Sequence, residues 1–492
     1  MDYNIGIDIG TGSVKAVAVD LDGKSFAASQ RHYSYLVPEA GYHEQDPAAI
    51  RIAFQECLEE LLVSVAQQPR SISLSSAMHS LIPVDHVGGA LRPMITWADS
   101  RASDIALDLQ QREEGLQIYE ATGTPLHAMS PLVKLIWLRE NESDLFRRSH
   151  KFISIKEYIW YHLFGYFEID YSIASCTGLF NLKELDWDVS ALSLAGIRAA
   201  ELSSPVPTHY QRPSPVSMIS GLNAGVPIVI GASDGCLANL GSMAYRPGQA
   251  VMTIGTSGAV RTASNKPLPN RGAMPFSYIL DEETFICGGP INNGGITLGW
   301  WLRNLGHQQI DLQAYDGLFE AIEKVAAGSE GLLFLPYLTG ERAPIWDSES
   351  CGAFVGARLR HGQHHFSRAV VEGICYAMRD VLESVVTPQD IREVFVTGGF
   401  SKSDSWVQML ADVTGKELYL SQTEDASAIG ATYLAMKTLG RRTTYPEAQT
   451  GAMKKFVPNQ ENHLLYSKNF SIFKKLYVNL KSSMHDLNQI NL

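Results

Sequence analysis

The sequence predicts an α/β protein made of two related halves, each with helices packed on a mixed sheet. Three observations predict it. The chain opens in the order strand, strand, strand, helix, strand, and helical and strand patterns go on alternating afterwards. The segment Ile9-Gly10-Thr11, where an apolar strand ends in a small-residue turn, returns as Ile254-Gly255-Thr256 about half a chain later. Each copy leads straight into another strand, as a duplicated domain would require. At 492 residues the chain has room for two or three domains with ample core.

The elements follow in order. Tyr3 to Ile9 is a short β-rich run, Gly10 to Ser13 a turn, and Val14 to Val19 a second strand. Asp22-Gly23 turns the chain into Ser25 to Tyr33, completing an antiparallel meander. Asp46-Pro47 supplies an N-cap and an N1 proline for a helix to about Ala66, and Ser71 to Ser75 is again a strand. Prolines gather between Pro205 and Pro227, which marks loop-rich surface before the strand Pro227 to Ile230. Gln249 to Thr262 carries the second strand-turn-strand unit. From Phe366, the spacing of Val370, Ile374, Met378 and Leu382 predicts a buried helix face. Arg392 to Thr397 and Glu417 to Leu420 read as strands, Asp404 to Val413 and Ala428 to Met436 as helices, and the chain from Lys454 as an amphipathic tail.

Composition excludes several classes. Hydrophobic residues make up 45% and charged residues 19%, without a biased tract, so the chain is neither disordered nor fibrous. A net charge of −12 argues against nucleic acid and anionic membranes as partners. Any phosphate must therefore be held by local devices. No run approaches about 18 consecutive apolar residues, and the N-terminus lacks a secretory pattern, so a cytoplasmic protein is expected. The six cysteines are scattered without a CxxC pair and read as reduced thiols packed as small hydrophobes.

Several residues carry candidate chemistry. Asp8-Ile9-Gly10-Thr11-Gly12-Ser13-Val14-Lys15 superficially suggests a dinucleotide fingerprint, but that motif opens a helix, and here a strand follows. A tight hairpin remains, with backbone N–H groups, the Thr11 and Ser13 hydroxyls and Lys15 available to phosphate oxygens, or with nothing but a turn to make. Asp8, at the end of an apolar strand, is either a Mg²⁺-binding carboxylate or an Asx cap. Asp234, where a strand meets a helix, is either an N-cap or a general base presented at a strand's carboxyl end. Gly398-Gly399 permits close approach of a flat ligand, and Ser401 and Ser403 can cap the following helix. Thr96 with Asp99 matches a capping pattern, and a histidine such as His79 is more often a satisfied core residue than a ligand contact.

Together these segments resemble the FGGY family of carbohydrate kinases over nearly the whole chain. MSPLVKLIWLREN (Met129 to Asn141) fits the family's first signature, and GAFVGARLRHGQHHFSRAVVEG (Gly352 to Gly373) fits the second except at Ala357, where a larger aliphatic is usual. Gly12 stands where many members carry a hydroxyl residue. SSAMHS, ITWADSR, TGTPLHAMSP, DYSIASCTGLFNL and GGPINNGGI resemble the gluconate kinases within that family.

The resemblance implies an actin-like (ribonuclease H-like) fold, with domains 1–245 and 246–492 flanking a cleft. It implies ATP and Mg²⁺ as cofactors and a small-molecule sugar acid as substrate, and leaves a homodimer open. By position, Asp234 matches the catalytic base, and Asp8, the candidate Mg²⁺ carboxylate named above, opens the matched phosphate hairpin. Gly10, Thr11, Gly12, Ser13 and Lys15 match the first phosphate hairpin, and Gly255 and Thr256 the second. Gly295 matches a further nucleotide contact, and Gly399 and Ser403 the adenosine segment. Met78, His79 and Asp99 fall where members contact sugar, and Arg101, Lys156 and His79 are candidate cations for a substrate carboxylate. Gly340-Glu341-Arg342-Ala343-Pro344 is also familial, without an assigned role. A kinase for another sugar such as xylulose, an actin-like ATPase and a sugar-sensing binder are the alternatives.

Overall fold

The structure is a computed structural model that describes residues 2–216, 218–305, 312–386, 390–421, 423 and 425–490. The chain divides into two compact units. The first comprises Met1–Tyr245, Ala263–Cys287 and Thr423–Ala448; the second comprises Arg246–Thr262, Gly288–Gln422 and Gln449–Leu492. A single cut between 245 and 246 does not describe these units, because two later segments return to the first. The strand Phe276–Asp281 packs on the helix Tyr171–Ser175, and the helix Ala426–Thr438 packs on both the first strand and the helix Asp234–Gly241.

In the first unit, β1 (Tyr3–Ile9), β2 (Ser13–Asp20) and β3 (Ser25–His32) form the expected meander. The α1 helix (Pro47–Val65) begins where the sequence signals it. The Asp46 carboxylate accepts the Ala48 N–H, and Pro47 takes the first turn. Ile50, Phe54, Leu58 and Leu61 recur at helical spacing and bury one face. Strand Ile72–Ser76 runs parallel to β1, and Pro227–Ser233 runs parallel to that strand in turn. The sheet is covered on both faces, so its inner strands are buried almost throughout, their serines and Asn4 included. Ile5, Ile7 and Ile9 enter one core, while Val17 and Val19 of β2 enter another beneath helix Ala426–Thr438. Gly6 permits that second layer, since a Cβ there would stand 1.9 Å from the Ala428 carbonyl oxygen.

The two sheets repeat one topology. In the first unit the order is Gln211–Pro213, Pro227–Ser233, Ile72–Ser76, β1, β2, β3. In the other large sheet, which has seven strands, six run in the corresponding order Lys455–Phe456, Leu418–Leu420, Glu393–Thr397, Gln249–Ile254, Gly258–Ser264, Thr284–Ile291, and Phe276–Asp281 is added beyond the last of them. In each, a hairpin's first strand pairs antiparallel with its second and parallel with a later strand. An antiparallel strand closes the other edge in both. The duplication expected from two short motifs therefore extends to six strands of each sheet.

The helix Gln363–Val385 buries Val370, Ile374, Met378 and Leu382, as their spacing predicts. The tail from Lys454 is mostly the helix Gln460–Ile490. All six cysteines are free thiols, five of them buried. Among the described residues, no helix is long and apolar enough to cross a membrane.

Candidate functional site

In the first unit, chemistry gathers where parallel strands end. Ile9 pairs with Ser76, and Ser76 with Ser233, so the carboxyl ends of three neighbouring strands lie side by side. They present Asp8, the Ala77-Met78-His79 turn and Asp234. Asp8 accepts a 2.7 Å hydrogen bond from the Ser75 hydroxyl. Burial, and then the neighbouring Asp234 carboxylate, push the Asp8 carboxyl up to about 7. Two acids held this close are unusual in a purely structural core.

Asp234 is not the N-cap that its position allowed. Ser233 takes that place, and Asp234 opens the helix Asp234–Gly241 with Oδ1 accepting the Gly235 N–H at 2.6 Å. Three hydrogen bonds fix the chain just before it. Ser172 Oγ accepts from the Ser233 N–H at 3.0 Å and donates to Ser233 Oγ at 3.1 Å, and Lys156 Nζ donates to the Ala232 carbonyl at 2.8 Å.

The first hairpin is tied to the segments that carry Trp97 and Gln45. The Gly10 N–H donates to Ser13 O at 3.0 Å, closing the turn between β1 and β2. Thr11 Oγ1 accepts from the Trp97 indole at 2.9 Å, and the Thr11 carbonyl accepts from Gln45 Nε2 at 2.7 Å. Ser13 Oγ accepts from Gln30, and Lys15 is paired with Asp425 at 2.5 Å. Gly12 is half-buried, with only Tyr35 within reach of a Cβ. Trp97, Gln45 and Asp425 were missed as site residues. Trp97 stands inside a quoted motif, whereas Asp425 lies 410 residues from its partner and left no local signal.

The sugar-side candidates divide. His79 adopts φ +65°, donates from Nδ1 to the Cys176 carbonyl at 2.7 Å and has Nε2 3.3 Å from the Tyr278 hydroxyl. A carbonyl only accepts, so the proton sits on Nδ1. Met78 is half-buried beside it. Lys134, from the first signature, donates to the His79 and Thr96 carbonyls at 2.5 and 2.8 Å and so joins the two loops.

Arg101 and Lys156 do not serve as free cations. Arg101 grips Asp99 through Nε and Nη2 at 2.8 and 2.7 Å, bonds Glu44 at 2.6 Å and stacks on Tyr42 at 3.7 Å. Its side chain is 1% exposed. Lys156 is equally buried and paired with Asp170 at 2.7 Å. A buried charge needs a partner, and each of these has one inside the protein. The Asp99 carboxylate likewise belongs to Arg101 and to the His43 N–H, and does not cap a helix at Thr96.

In the second unit the other expected residues converge on one cavity of about 570 Å³, a size that suits a small organic ligand. Gly255, Thr256, Gly295, Gly399 and Ser403 all line it. The Gly255 N–H closes its hairpin on Ser257 O at 2.8 Å. Gly295 and Ile296 donate to the Gly255 and Thr256 carbonyls at 2.7 and 3.0 Å, which locks the start of helix Gly295–Asn304 onto that hairpin. Gly398 adopts φ +101°, and a Cβ there would lie 2.5 Å from the Ile254 carbonyl oxygen, so only glycine lets this turn approach. Ser403 caps helix Asp404–Thr414 by accepting the Trp406 N–H. Phe319, Phe400 and Trp406 supply the cavity's aromatic wall, and Arg303 and Lys402 its cations. These five went unread in the sequence, although Phe400 and Lys402 lie within or beside the glycine motif. The turn after Glu393–Thr397 is the topological counterpart of the Met78-His79 turn after Ile72–Ser76.

Residues 3–241 match the N-terminal domain of the FGGY family of carbohydrate kinases, and residues 250–439 match its C-terminal domain. A gluconokinase of Bacillus subtilis (strain 168) is 37% identical over 495 residues, spanning 97% of this chain and 95% of that protein. A crystal structure of gluconate kinase from Lactobacillus acidophilus superposes with a TM-score of 0.93 at 33% identity, covering 99% of each chain. A ligand-bound xylulose kinase from the same organism superposes with a TM-score of 0.93 at 32% identity, covering 99% of this chain and 100% of that one.

Proposed function

Because the chain belongs to the FGGY family of carbohydrate kinases, we propose that it transfers the γ-phosphoryl group of ATP to the terminal hydroxyl of gluconate, giving 6-phosphogluconate and ADP. The observation that carries this reading is the neighbouring acids Asp8 and Asp234 at the carboxyl ends of the two strands that flank Ile72–Ser76. Phosphoryl transfer asks mainly for positioning and charge neutralisation. Asp234 orients the sugar hydroxyl and accepts its proton as the hydroxyl oxygen bonds to phosphorus and the bond to the β-phosphate oxygen breaks. The Gly235 N–H and the bonded Ser233 and Ala232 backbone keep that carboxylate in place.

The nucleotide takes the cavity of the second unit, with its flat base and ribose along Gly399, Phe400 and Trp406 and its phosphates toward Gly255, Thr256 and Gly295. Thr11 and Ser13 of the first hairpin serve a phosphoryl group, whereas Lys15, expected beside them, is taken by Asp425. Asp8 fits a Mg²⁺ that takes its remaining ligands from phosphate and water, since a cation relieves the charge that burial and Asp234 disfavour. Among the described residues no group of three His, Cys, Asp or Glu is arranged to hold a metal ion. When bound, Mg²⁺ offsets negative charge on the phosphates.

The deciding experiment is a coupled assay with ATP and gluconate, xylulose, ribulose or glycerol in parallel. Gluconate is expected to give the highest kcat/KM. A preference for xylulose would move the assignment to a ketopentose kinase, and ATP hydrolysis indifferent to every sugar would end it.

A further inference from the structure

The stretch Gly340-Glu341-Arg342-Ala343-Pro344 has no part in the chemistry above, yet it surrounds the residues that lead into the cavity. The Glu341 carboxylate is 2% exposed. It accepts the Asn292 N–H at 2.5 Å, the Arg342 N–H at 2.8 Å and the Asn293 side-chain amide at 3.1 Å. Arg342 Nε donates to Asn292 Oδ1 at 2.7 Å, and Asn293 Nδ2 donates to the Gly340 carbonyl at 2.7 Å. Asn292 and Asn293 are thus held from both sides. Directly after them, Gly294 and Gly295 open the helix that meets the Gly255–Thr256 hairpin. Two successive glycines add no side-chain contact of their own, so the start of the helix is fixed by the bonded asparagines before it together with the Gly255 and Thr256 carbonyls it meets.

Glu341 is itself held from the end of the chain. Its N–H and carbonyl exchange two 2.9 Å hydrogen bonds with the carbonyl and N–H of Asp347. The Asp347 carboxylate, 4% exposed, accepts from the Tyr477 hydroxyl and from His485 Nε2, each at 2.9 Å. His485 Nδ1 lies 3.3 Å from Glu349, and Asn488 donates to the Glu349 carbonyl. Tyr477, His485 and Asn488 stand on the helix Gln460–Ile490, beyond residue 439 where the family's C-terminal domain match ends.

We propose that Glu341 is a positioning residue for the nucleotide cavity, and that the C-terminal helix sets it through Asp347. The proposal rests on the reading of that cavity as the nucleotide site. The helix docks independently of this contact, because Tyr466, Phe470 and Phe473 are buried and Tyr466 bonds Glu372 and Arg368. Its polar end can therefore be altered without removing it.

The test is calorimetric titration of the full chain with ADP, alongside steady-state kinetics. In Tyr477→Phe/His485→Leu, ADP binding is expected to weaken roughly 2- to 30-fold and KM for ATP to rise with it, while KM for the sugar stays within about twofold. Glu341→Gln is expected to behave likewise, and His485→Gln, which keeps a donor, to stay near wild type. Lys474→Met cuts a different contact of the same helix, the 3.6 Å pair with Asp380, and is expected to leave ADP affinity unchanged. Should Glu341→Gln not fold, the double variant decides alone. Wild-type ADP affinity in the double variant, or an equal loss in Lys474→Met, would overturn the proposal. Failure of the wild-type chain to bind ADP would instead remove the nucleotide reading on which it rests, and the proposal with it.

Discussion

Lys156 donates a 2.8 Å hydrogen bond to the carbonyl oxygen of Ala232, two residues before Asp234, while its ammonium rests 2.7 Å from Asp170. A lysine that the sequence offers as a partner for substrate is instead a fixture of the strand that presents the proposed base. Removing one member of a buried pair strands the other, so Lys156→Met is expected to lose about 3–5 kcal/mol of stability. Lys156→Met/Asp170→Asn, which keeps an acceptor for the Ile173 N–H, should recover most of that loss but not kcat, since Ala232 still lacks its donor. Thermal melts and steady-state rates separate the two effects. Wild-type turnover in the double variant would contradict the positioning role.

Asp234→Asn keeps the size of the side chain and removes its basicity. Turnover is expected to fall about 10²–10⁴-fold. ADP affinity should hold, because every residue lining the proposed nucleotide cavity lies between Ile254 and Trp406. Near-normal kcat in this variant, measured by the coupled assay, would remove Asp234 from the reaction.

Arg101 makes a two-pronged contact with Asp99 while stacked on Tyr42. Lysine cannot reproduce a planar fork, so Arg101→Lys is expected to lower the melting temperature. The ratio of gluconate to neutral-sugar kcat/KM should stay constant, because this guanidinium already serves Asp99 and Glu44. A selective loss with gluconate alone would reinstate Arg101 as the carboxylate's partner.

Burial holds the Lys134 ammonium down to about 7 from its ordinary 10.5. Between those values the unfolded chain binds a proton that the folded chain does not, so this group adds stability as pH rises through that window. Lys134→Met is expected to be less stable, having left the His79 and Thr96 carbonyls without their donor, and to lose this upward slope. Melting temperatures from about pH 7 to pH 9.5 check it, and identical slopes in the two proteins would contradict it.

Much of the fold was legible because it depends on neighbours in sequence. The Asp46-Pro47 cap, the Gly10 and Gly255 turns and the four-residue spacing from Val370 to Leu382 each act over a few residues. The return of Ala263–Cys287 and Thr423–Ala448 to the first unit has no such local mark. It follows from close packing such as Gly6 against Ala428, between residues distant in the chain. The site was legible to the same degree. The glycine turns lining the cavity could be found from motif and resemblance, whereas its wall of Phe319 and Trp406 could not.

The sequence by itself determined the duplicated strand-turn-strand units, the position of Asp234 where a strand meets a helix, and the family. Only the tertiary structure decided which charges are already matched: Lys15 with Asp425, Arg101 with Asp99 and Glu44, Lys156 with Asp170. Turns and helix faces are governed by torsions and by side chains a few positions apart. The state of a charged group is governed by whatever the fold brings within about 4 Å of it, and for Lys15 that is a residue 410 positions away.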